Sequence, residues 1–244
     1  MKRQEENVRL GYSDTPVLPD SGYHVHDGAR PQPPVVRFEG VPPVPADAVR
    51  LFSGGSLDGW VSKKTGESAQ WNVEGDVMTV VPGTGDIRTM RELGDGQLHL
   101  EFRSPEVVKG EGQGRGNSGI FLMGLYEIQV LDNYDNPTYA DGTVGAVYGQ
   151  HPPLANAILP PGEWNAFDIV WKGPVFNDGN LVSPAVVTVL LNGVVQQHAR
   201  ILQGPTQHKV LAAYEPHPSK LPLALQDHGD LVSFRNSWFR EIAF

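Results

Sequence analysis

The sequence predicts an all-β protein built as a sandwich or barrel of short strands. Gly and Pro supply 28 and 21 of the 244 residues, about a fifth of the chain against a usual share of roughly an eighth. These turn-forming residues separate short runs rich in Val, Ile, Leu and aromatic side chains. No stripe of helical period extends beyond two turns, whereas several runs show the two-residue period of strands.

Residues 1–46 are predicted to form an irregular, Pro-rich N-terminal arm. Prolines recur from Pro16 to Pro45 and interrupt every helix or strand pattern. Two interpretations remain open, namely a disordered leader or an arm held on a domain surface by residues such as Tyr12 and Tyr23. Such an arm could also join two copies of the chain as a homo-oligomer.

Residues 47–244 are predicted to form one sandwich domain. The segment 97–103 alternates strictly between apolar and polar side chains, and tight turns are predicted at 74–76 and 192–193. We expect the last strand to pair beside the first. Strands are predicted over residues 70–73, 77–81, 97–103, 119–123, 126–131, 166–171, 185–191, 194–198 and 233–244, with another opening at 88–89.

Composition excludes several classes of protein. The chain has no cysteine, which excludes a disulfide framework, a thiolate zinc site and a cysteine nucleophile. Its net charge of −9 argues against a nucleic-acid binder, and no apolar run is long enough to span a membrane. We expect a soluble protein whose compartment stays open: cytoplasmic, or periplasmic or secreted if an export signal has been removed.

The most informative segment runs from residue 116 to residue 132. Along its second half a polar face carrying Glu127 and Gln129 alternates with an apolar face, and Asn117 begins the preceding run. A one-residue bulge after Gln129 would return Asp132 to the same polar face. The pattern fits a sugar-binding sheet or a solvated one, and the poor strand propensity of Glu and Gln favours the first.

A second polar strand face carries His99, Glu101 and Arg103. If this strand neighbours the strand of Glu127, an arginine, two carboxylates and an amide would line one cavity. The alternative is a surface ion pair worth less than about 1 kcal/mol.

Two loops carry further candidates. Tyr148 and His151 lie in a Gly- and Pro-rich loop over residues 145–162, long enough to form one wall of a site or to be an ordinary surface loop. His228 is the best-placed acid or base near neutral pH, unless Asp227 or the backbone merely satisfies its ring.

Metal binding leaves only weak traces in the sequence. Asp132, Asp135, Asn136 and Asp141 could offer hard oxygen ligands to calcium, although their spacing matches no established loop. We therefore assign no residue to a metal, and a divalent cation stays open as a cofactor.

Seven motifs together resemble the 3-keto-disaccharide hydrolase family over about residues 48–244. They are LFSGGSLDGW at 51–60, IRT at 87–89, NSGIF at 117–121, YEIQVLD at 126–132, GEWN at 162–165, LQDHG at 225–229 and FRN at 234–236. The resemblance implies a concanavalin-like jelly-roll sandwich that acts on sugars oxidised at carbon 3. Two positions depart from the family: Met90 stands where a lysine is frequent, and Leu125 where an arginine is frequent.

The implied reaction is hydrolysis, or elimination followed by hydration, of an oxidised disaccharide or glucoside. It needs a base near carbon 2, a donor for the enolate oxygen and an acid for the leaving group. We expect Glu127 to be the base, with His228 as the alternative and Asp132 as a third catalytic candidate. The substrate-binding candidates are Arg88, Glu101, Arg103, Asn117, Gln129, Tyr148, His151 and Arg235, and any of the three arginines could stabilise the enolate.

Two other functions remain open. A glycoside hydrolase acting on unoxidised glucans needs two carboxylates about 5–10 Å apart, which Glu127 and Asp132 could supply, although Gln129 stands where a middle acid is expected. A non-catalytic carbohydrate-binding module would instead present exposed aromatic platforms, but each of the five tryptophans lies in a strand pattern or a family motif.

Overall fold

The computed structural model describes residues 12–19, 21–32, 35–40 and 43–244. The chain divides into two compact units, residues 1–37 and residues 38–244. In the described part of the first unit, turns surround one isolated bridge between Val17 and His24. The roles expected for an N-terminal arm, including oligomerisation, stay predictions.

The described part of the second unit is built almost entirely of strands, with two three-residue 3-10 helices at Gly112–Gly114 and Ala140–Gly142. None of the helices in the described residues is long and apolar enough to cross a membrane. The strands are β1 Phe38–Glu39, β2 Val44–Pro45, β3 Val49–Phe52, β4 Trp60–Ser62, β5 Asn72–Glu74, β6 Val77–Thr79, β7 Ile87–Leu93, β8 Gly96–Arg103, β9 Ser118–Leu122, β10 Tyr126–Val130, β11 Asn165–Lys172, β12 Val175–Asn177, β13 Asn180–Ser183, β14 Val186–Leu191, β15 Val194–Ile201, β16 Thr206–Gln207, β17 Val210–Leu211, β18 Leu221–Leu225 and β19 Ser233–Glu241.

Two antiparallel sheets form a concanavalin-like jelly-roll sandwich, as the sequence predicts. The smaller sheet has the strand order β10-β9-β18-β7-β4. The larger sheet has the order β15-β14-β11-β8-β19-β6-β5, and β3 also pairs with β19. Ser237 of β19 lies opposite Phe52 of β3, the first strand within residues 47–244, which confirms that the last strand of this domain pairs beside its first.

The core lies between the two sheets because each strand turns its apolar face inward. On β8, Leu98, Leu100 and Phe102 are fully buried, and the polar residues between them are partly exposed. Tyr126 of β10 packs on Trp171 of β11 with ring centroids 5.2 Å apart, so this contact joins the two sheets. Truncating such a buried aromatic side chain to alanine typically costs about 3–5 kcal/mol.

Strand β18 was missed by the sequence prediction because Pro222 lies inside it. A proline cannot donate to a strand ladder and therefore argues against a central strand. The pairing of β18 with β7 shifts register between Pro222 and Ala224, and this irregularity accommodates the ring. Strand β18 thereby links β9 to β7 at the centre of the smaller sheet.

Candidate active site

A cleft of about 400 Å³ opens on the outer face of the smaller sheet, away from the core. Five residues predicted from the sequence line it, namely Asn117, Glu127, Gln129, Tyr148 and His228. The other lining residues are Gln113, Phe121, Tyr139, Thr206, Gln207, His208 and Gln226. The volume suits a monosaccharide ring together with part of its substituent.

Glu127 stands at the floor of this cleft with 6% of its surface exposed. Its backbone is fixed from two sides: its N–H donates to the Thr206 hydroxyl at 2.8 Å, and its carbonyl accepts from the Tyr148 N–H at 3.2 Å. No described residue donates a hydrogen bond to its carboxyl group. The backbone of Glu127 is therefore fixed, whereas its carboxyl group is buried and receives no hydrogen bond from the described residues.

The pKa of Glu127 is raised from its ordinary 4.5 to about 8, and burial is the largest cause. Within that shift, the neighbouring Asp86 carboxylate also raises the pKa, and the Lys63 ammonium lowers it. Near neutral pH the group can therefore give or take a proton, which is the property required of a general acid or base.

Gly119 gives the Glu127 carboxyl group its space. It lies on β9 opposite Gln129, next to the pair formed by Phe121 and Glu127. A Cβ atom at this position would lie 2.4 Å from Glu127 Oε1 and 2.9 Å from Phe121 Cε2. Only glycine lets the carboxyl group lie this close to the sheet.

An amide network forms the polar floor beside Glu127. The Gln129 Nε2 group donates to Asn117 Oδ1 at 3.2 Å and to Gln113 Oε1 at 3.3 Å. Asn117 and Gln113 in turn donate to backbone carbonyls, which fixes the direction of the network. Gln129 is 1% exposed, and its Oε1 atom lacks a donor among the described residues. Buried acceptors are nearly always paired, so this oxygen is an unsatisfied group just beneath the cleft surface.

Aromatic side chains form one wall of the cleft. The Tyr148 hydroxyl lies 2.8 Å from the Tyr139 hydroxyl and 2.9 Å from His208 Nδ1. Burial, followed by the hydrogen bond with Tyr139, raises the pKa of Tyr148 well above its usual range. Tyr148 therefore keeps its proton at neutral pH.

A cation beside the cleft was not foreseen from the sequence. Lys63 follows β4, and its ammonium lies 4.7 Å from the centre of the Phe121 ring and 3.6 Å from Asp86 Oδ2. Asp86 is held in turn by the Asp227 N–H, which donates to its Oδ1 at 3.1 Å. No periodic pattern marks Lys63, because its approach depends on how β4 joins the sheet.

Three predicted binding residues lie on the other sheet. Glu101 and Arg103 belong to β8, which pairs with β11 and β19, and they point away from the core on the far side of the sandwich. There Arg235 Nε donates to Glu101 Oε2 at 2.6 Å, and the guanidinium groups of Arg103 and Arg235 both lie over the Trp164 ring. The expectation that these residues and Glu127 line one cavity is wrong, because the two polar faces belong to opposite sheets.

Asp132 also lies outside the cleft. The register of β9 and β10 shows no bulge and β10 ends at Val130, so the predicted return of Asp132 to the polar face is wrong. Its Oδ2 accepts from Arg115 Nε at 2.8 Å and its Oδ1 accepts from the Tyr134 N–H at 3.1 Å. These bonds occupy both oxygens of a buried carboxylate.

Two further candidates stand apart from the cleft lining. His151 Nε2 lies 3.0 Å from the Ile201 carbonyl, so the ring ties its own loop to β15. Arg88 is on the outer face of β7, opposite Ala224, and donates to the Thr89 carbonyl at 3.5 Å.

The described residues contain no group of three or more His, Asp, Glu or Cys side chains arranged to hold a metal ion. Of the four oxygen-bearing residues considered for calcium, Asp132 is paired with Arg115. Asn136 bonds the backbone of Gly112 through both atoms of its amide.

Comparison with known proteins agrees with this architecture. Residues 47–240 match the profile of a family described as the 3-keto-α-glucoside-1,2-lyase-like domain. The chain belongs to this family. The match confirms the 3-keto-disaccharide hydrolase resemblance drawn from the sequence motifs.

Solved structures of similar proteins support membership of the 3-keto-α-glucoside-1,2-lyase-like family. A "putative glycosyl hydrolase" from Parabacteroides distasonis ATCC 8503 is 41% identical, with a TM-score of 0.83, and the match covers 93% of this chain and 100% of that one. Two further proteins so described from that organism share the fold at 20% and 22% identity, with TM-scores of 0.57 and 0.58. These matches cover 81% and 80% of this chain and 94% and 99% of theirs.

No curated protein matches the chain significantly. Family and relatives together indicate a carbohydrate-active protein of glycosyl hydrolase type.

Proposed function

We propose that this protein cleaves 3-keto-glycosides by removing the hydrogen on carbon 2, with Glu127 as the base. The observation that carries the proposal is a buried carboxyl group with a pKa of about 8 in a sugar-sized cleft. The family assignment supplies the substrate class, because its description refers to 3-keto-α-glucosides and to a 1,2-lyase.

The ketone at carbon 3 is what makes this chemistry accessible to a single carboxylate. It acidifies the carbon 2 hydrogen, whose removal gives an enolate that expels the substituent on carbon 1. The products are a 1,2-unsaturated keto sugar and the free alcohol. Addition of water across the new double bond would then give the net result of hydrolysis.

Glu127 fits the base because desolvation makes its carboxylate more basic than an exposed one. Its 6% exposure and lack of a hydrogen-bond donor leave the ionised form poorly stabilised until substrate arrives. His228 lines the same cleft and is exposed, so it is the second candidate for proton transfer.

Lys63 is the cation best situated to favour the enolate. Arg103 and Arg235 lie on the opposite face of the sandwich and cannot reach a sugar bound beside Glu127. Lys63 is close enough to act electrostatically on Glu127 and rests on the Phe121 ring at the cleft. A positive charge there would stabilise negative charge developing on the sugar oxygen.

Binding of the sugar hydroxyls would rest on the amide floor. Gln129 and Gln226 both contribute amides to the lining, and the Gln129 amide would turn towards the sugar to present its unpaired Oε1. A hydroxyl donated to Gln129 Oε1 would remove the cost of an unpaired buried oxygen, so this contact favours correctly oriented substrate.

A two-carboxylate glycoside hydrolase is less well supported. Among the described residues that line the cleft, Glu127 is the one carboxyl group. Asp132 is engaged by Arg115, and Asp86 lies 3.6 Å from Lys63. The pair of acids that such a mechanism requires is therefore lacking in the cleft.

The test is a product assay with a 3-keto-α-glucoside and its unoxidised parent, each with and without a chelator. We expect release of the aglycone from the keto sugar alone, and loss of at least about 10²-fold in Glu127→Gln. The matched control is Glu101→Gln on the far sheet, which should retain full activity. Cleavage of the parent glucoside, or full activity of Glu127→Gln, would overturn the proposal.

A further inference from the structure

A second cavity of about 410 Å³ adjoins the cleft that holds Glu127. The two cavities share four lining residues: Tyr139, Tyr148, Gln207 and His208. The second cavity is completed by Asp141, Gly149, Lys209, Val210 and Leu211. A substrate occupying the first cavity can thus continue past Tyr148 into the second.

The shared wall carries a continuous chain of hydrogen bonds. Tyr139, Tyr148 and His208 are linked through their hydroxyl groups and Nδ1 by distances of 2.8 and 2.9 Å. His208 lies on the exposed hairpin of β16 and β17, so its ring can exchange protons with solvent. The chain therefore connects the boundary between the cavities to bulk water.

Elimination from an α-glucoside requires two different proton-transfer groups. In the chair form the hydrogen on carbon 2 and the oxygen on carbon 1 are both axial and lie on opposite faces of the ring. A base at carbon 2 is thus unable to protonate the departing oxygen itself. Glu127 needs a partner at the point where the leaving group lies.

We infer that Tyr148 is the general acid for the leaving group, that His208 resupplies its proton, and that the second cavity binds the leaving group. The inference rests on the proposed function and adds an acid and a subsite to it. Tyr148 touches both cavities, as an acid between sugar and leaving group must. His228, by contrast, makes no hydrogen bond within the described chain and does not line the second cavity.

Protons and electrons balance in this step with Glu127, Tyr148, His208 and water as the groups that exchange protons. The Glu127 carboxylate takes the carbon 2 proton, and the C–H electron pair passes into the enolate. When the enolate collapses, this pair forms the second bond between carbons 1 and 2, and the bond from carbon 1 to oxygen breaks. The departing oxygen keeps the electron pair of the broken C–O bond and takes the Tyr148 hydroxyl proton. Tyr148 then recovers a proton from His208, which regains one from water, and Glu127 returns its proton to water to restore the carboxylate.

The test compares two leaving groups. Methyl 3-keto-α-glucoside releases a poor leaving group that must be protonated, whereas the 4-nitrophenyl analogue releases a stable phenolate. In Tyr148→Phe we expect kcat/KM to fall by about 10²–10³-fold on the methyl substrate and by less than about threefold on the nitrophenyl one. The matched control Tyr134→Phe, on an exposed tyrosine outside both cavities, should leave both rates unchanged.

Two further variants test the proton supply and the subsite. His208→Ala should slow the methyl substrate, and added imidazole should restore its rate. Val210→Trp, at an exposed position in the second cavity, should raise KM for a 3-keto-disaccharide but leave KM for the methyl glycoside unchanged.

The possible failures are distinguishable. If wild-type protein cleaves the keto substrates but Tyr148→Phe slows both leaving groups equally, or neither, Tyr148 is not the acid. If Val210→Trp leaves KM for the disaccharide unchanged, the second cavity does not bind the leaving group. If wild-type protein cleaves neither keto substrate, the proposed function fails and this inference fails with it.

Discussion

Glu127→Gln should stabilise the protein at alkaline pH while it abolishes activity. The folded-state pKa of Glu127 lies near 8, above its ordinary 4.5. Between these values the folded chain keeps a proton that the unfolded chain has released, so wild-type stability falls as pH rises through this window. Glutamine stays neutral at every pH and removes this dependence.

The size of the effect follows from the two pKa values. Raising the pKa from 4.5 to about 8 corresponds to about 5 kcal/mol between the two protonation states. Near pH 4.5 the variant and the wild type should have similar free energies of unfolding, and above pH 8 the variant should be more stable by up to this amount. Half of it would still raise Tm by roughly 5–10 °C for a domain of this size.

The assay is urea unfolding of both proteins at pH 5 and pH 9. The matched control is Glu92→Gln, an exposed glutamate on β7, whose stability relative to wild type should not change between the two pH values. If Glu127→Gln is no more stable than wild type at pH 9, or if its advantage is equal at both pH values, the Glu127 carboxyl group is not desolvated as described.

Three further predictions test which residues belong to the site of Glu127. Lys63 lowers the pKa of Glu127 and Asp86 raises it. Lys63→Met should therefore move the midpoint of the rise of kcat/KM with pH upward, and Asp86→Asn should move it downward. Each shift should be about one pH unit or less. Gly119→Ala should displace the carboxyl group, cutting kcat/KM at least tenfold and costing about 1–3 kcal/mol of stability. Glu101→Gln should leave kcat/KM and its pH profile unchanged, since its partners lie on the far sheet.

Each of these variants has a control or a contrary result. Lys64→Met removes a neighbouring exposed lysine and should leave the pH profile in place. Gly114→Ala adds a methyl group where no atom lies within 4 Å and should retain activity. Three results would each contradict the site as described. They are shifts of the same sign in Lys63→Met and Asp86→Asn, full activity of Gly119→Ala, and lost activity in Glu101→Gln.

The longer strands could be predicted because their signal is local, whereas most of the strands of two to four residues were missed. The alternation over residues 97–103 reappears as β8, and the turn at 192–193 joins β14 to β15. The two-residue alternation of a strand does not indicate which of the two sheets the strand joins. Glu101 and Glu127 both lie on polar strand faces, yet β8 pairs with β19 in one sheet and β10 with β9 in the other, so the two carboxylates lie on opposite sides.

The site residues, like the strands, could be predicted only where the signal is local. Glu127 and Gln129 were identifiable because Glu and Gln have poor strand propensity, so their presence in a strand indicates a specific role. Lys63 and His208 reach the cleft from a strand end and a two-strand hairpin, which leave no periodic trace. Asp132 follows the strand closely enough to suggest a shared face, but Arg115 holds it in a different environment.

The most direct test of the central claim is the fate of the carbon 2 hydrogen. We would cleave a 3-keto-α-glucoside in D₂O and examine the released sugar by NMR at short times, with a no-protein sample and Glu127→Gln as controls. Removal of the hydrogen by Glu127 predicts either a double bond between carbons 1 and 2 or deuterium at carbon 2 in the product from wild-type protein. A product that forms at the wild-type rate and keeps its original carbon 2 hydrogen would contradict it.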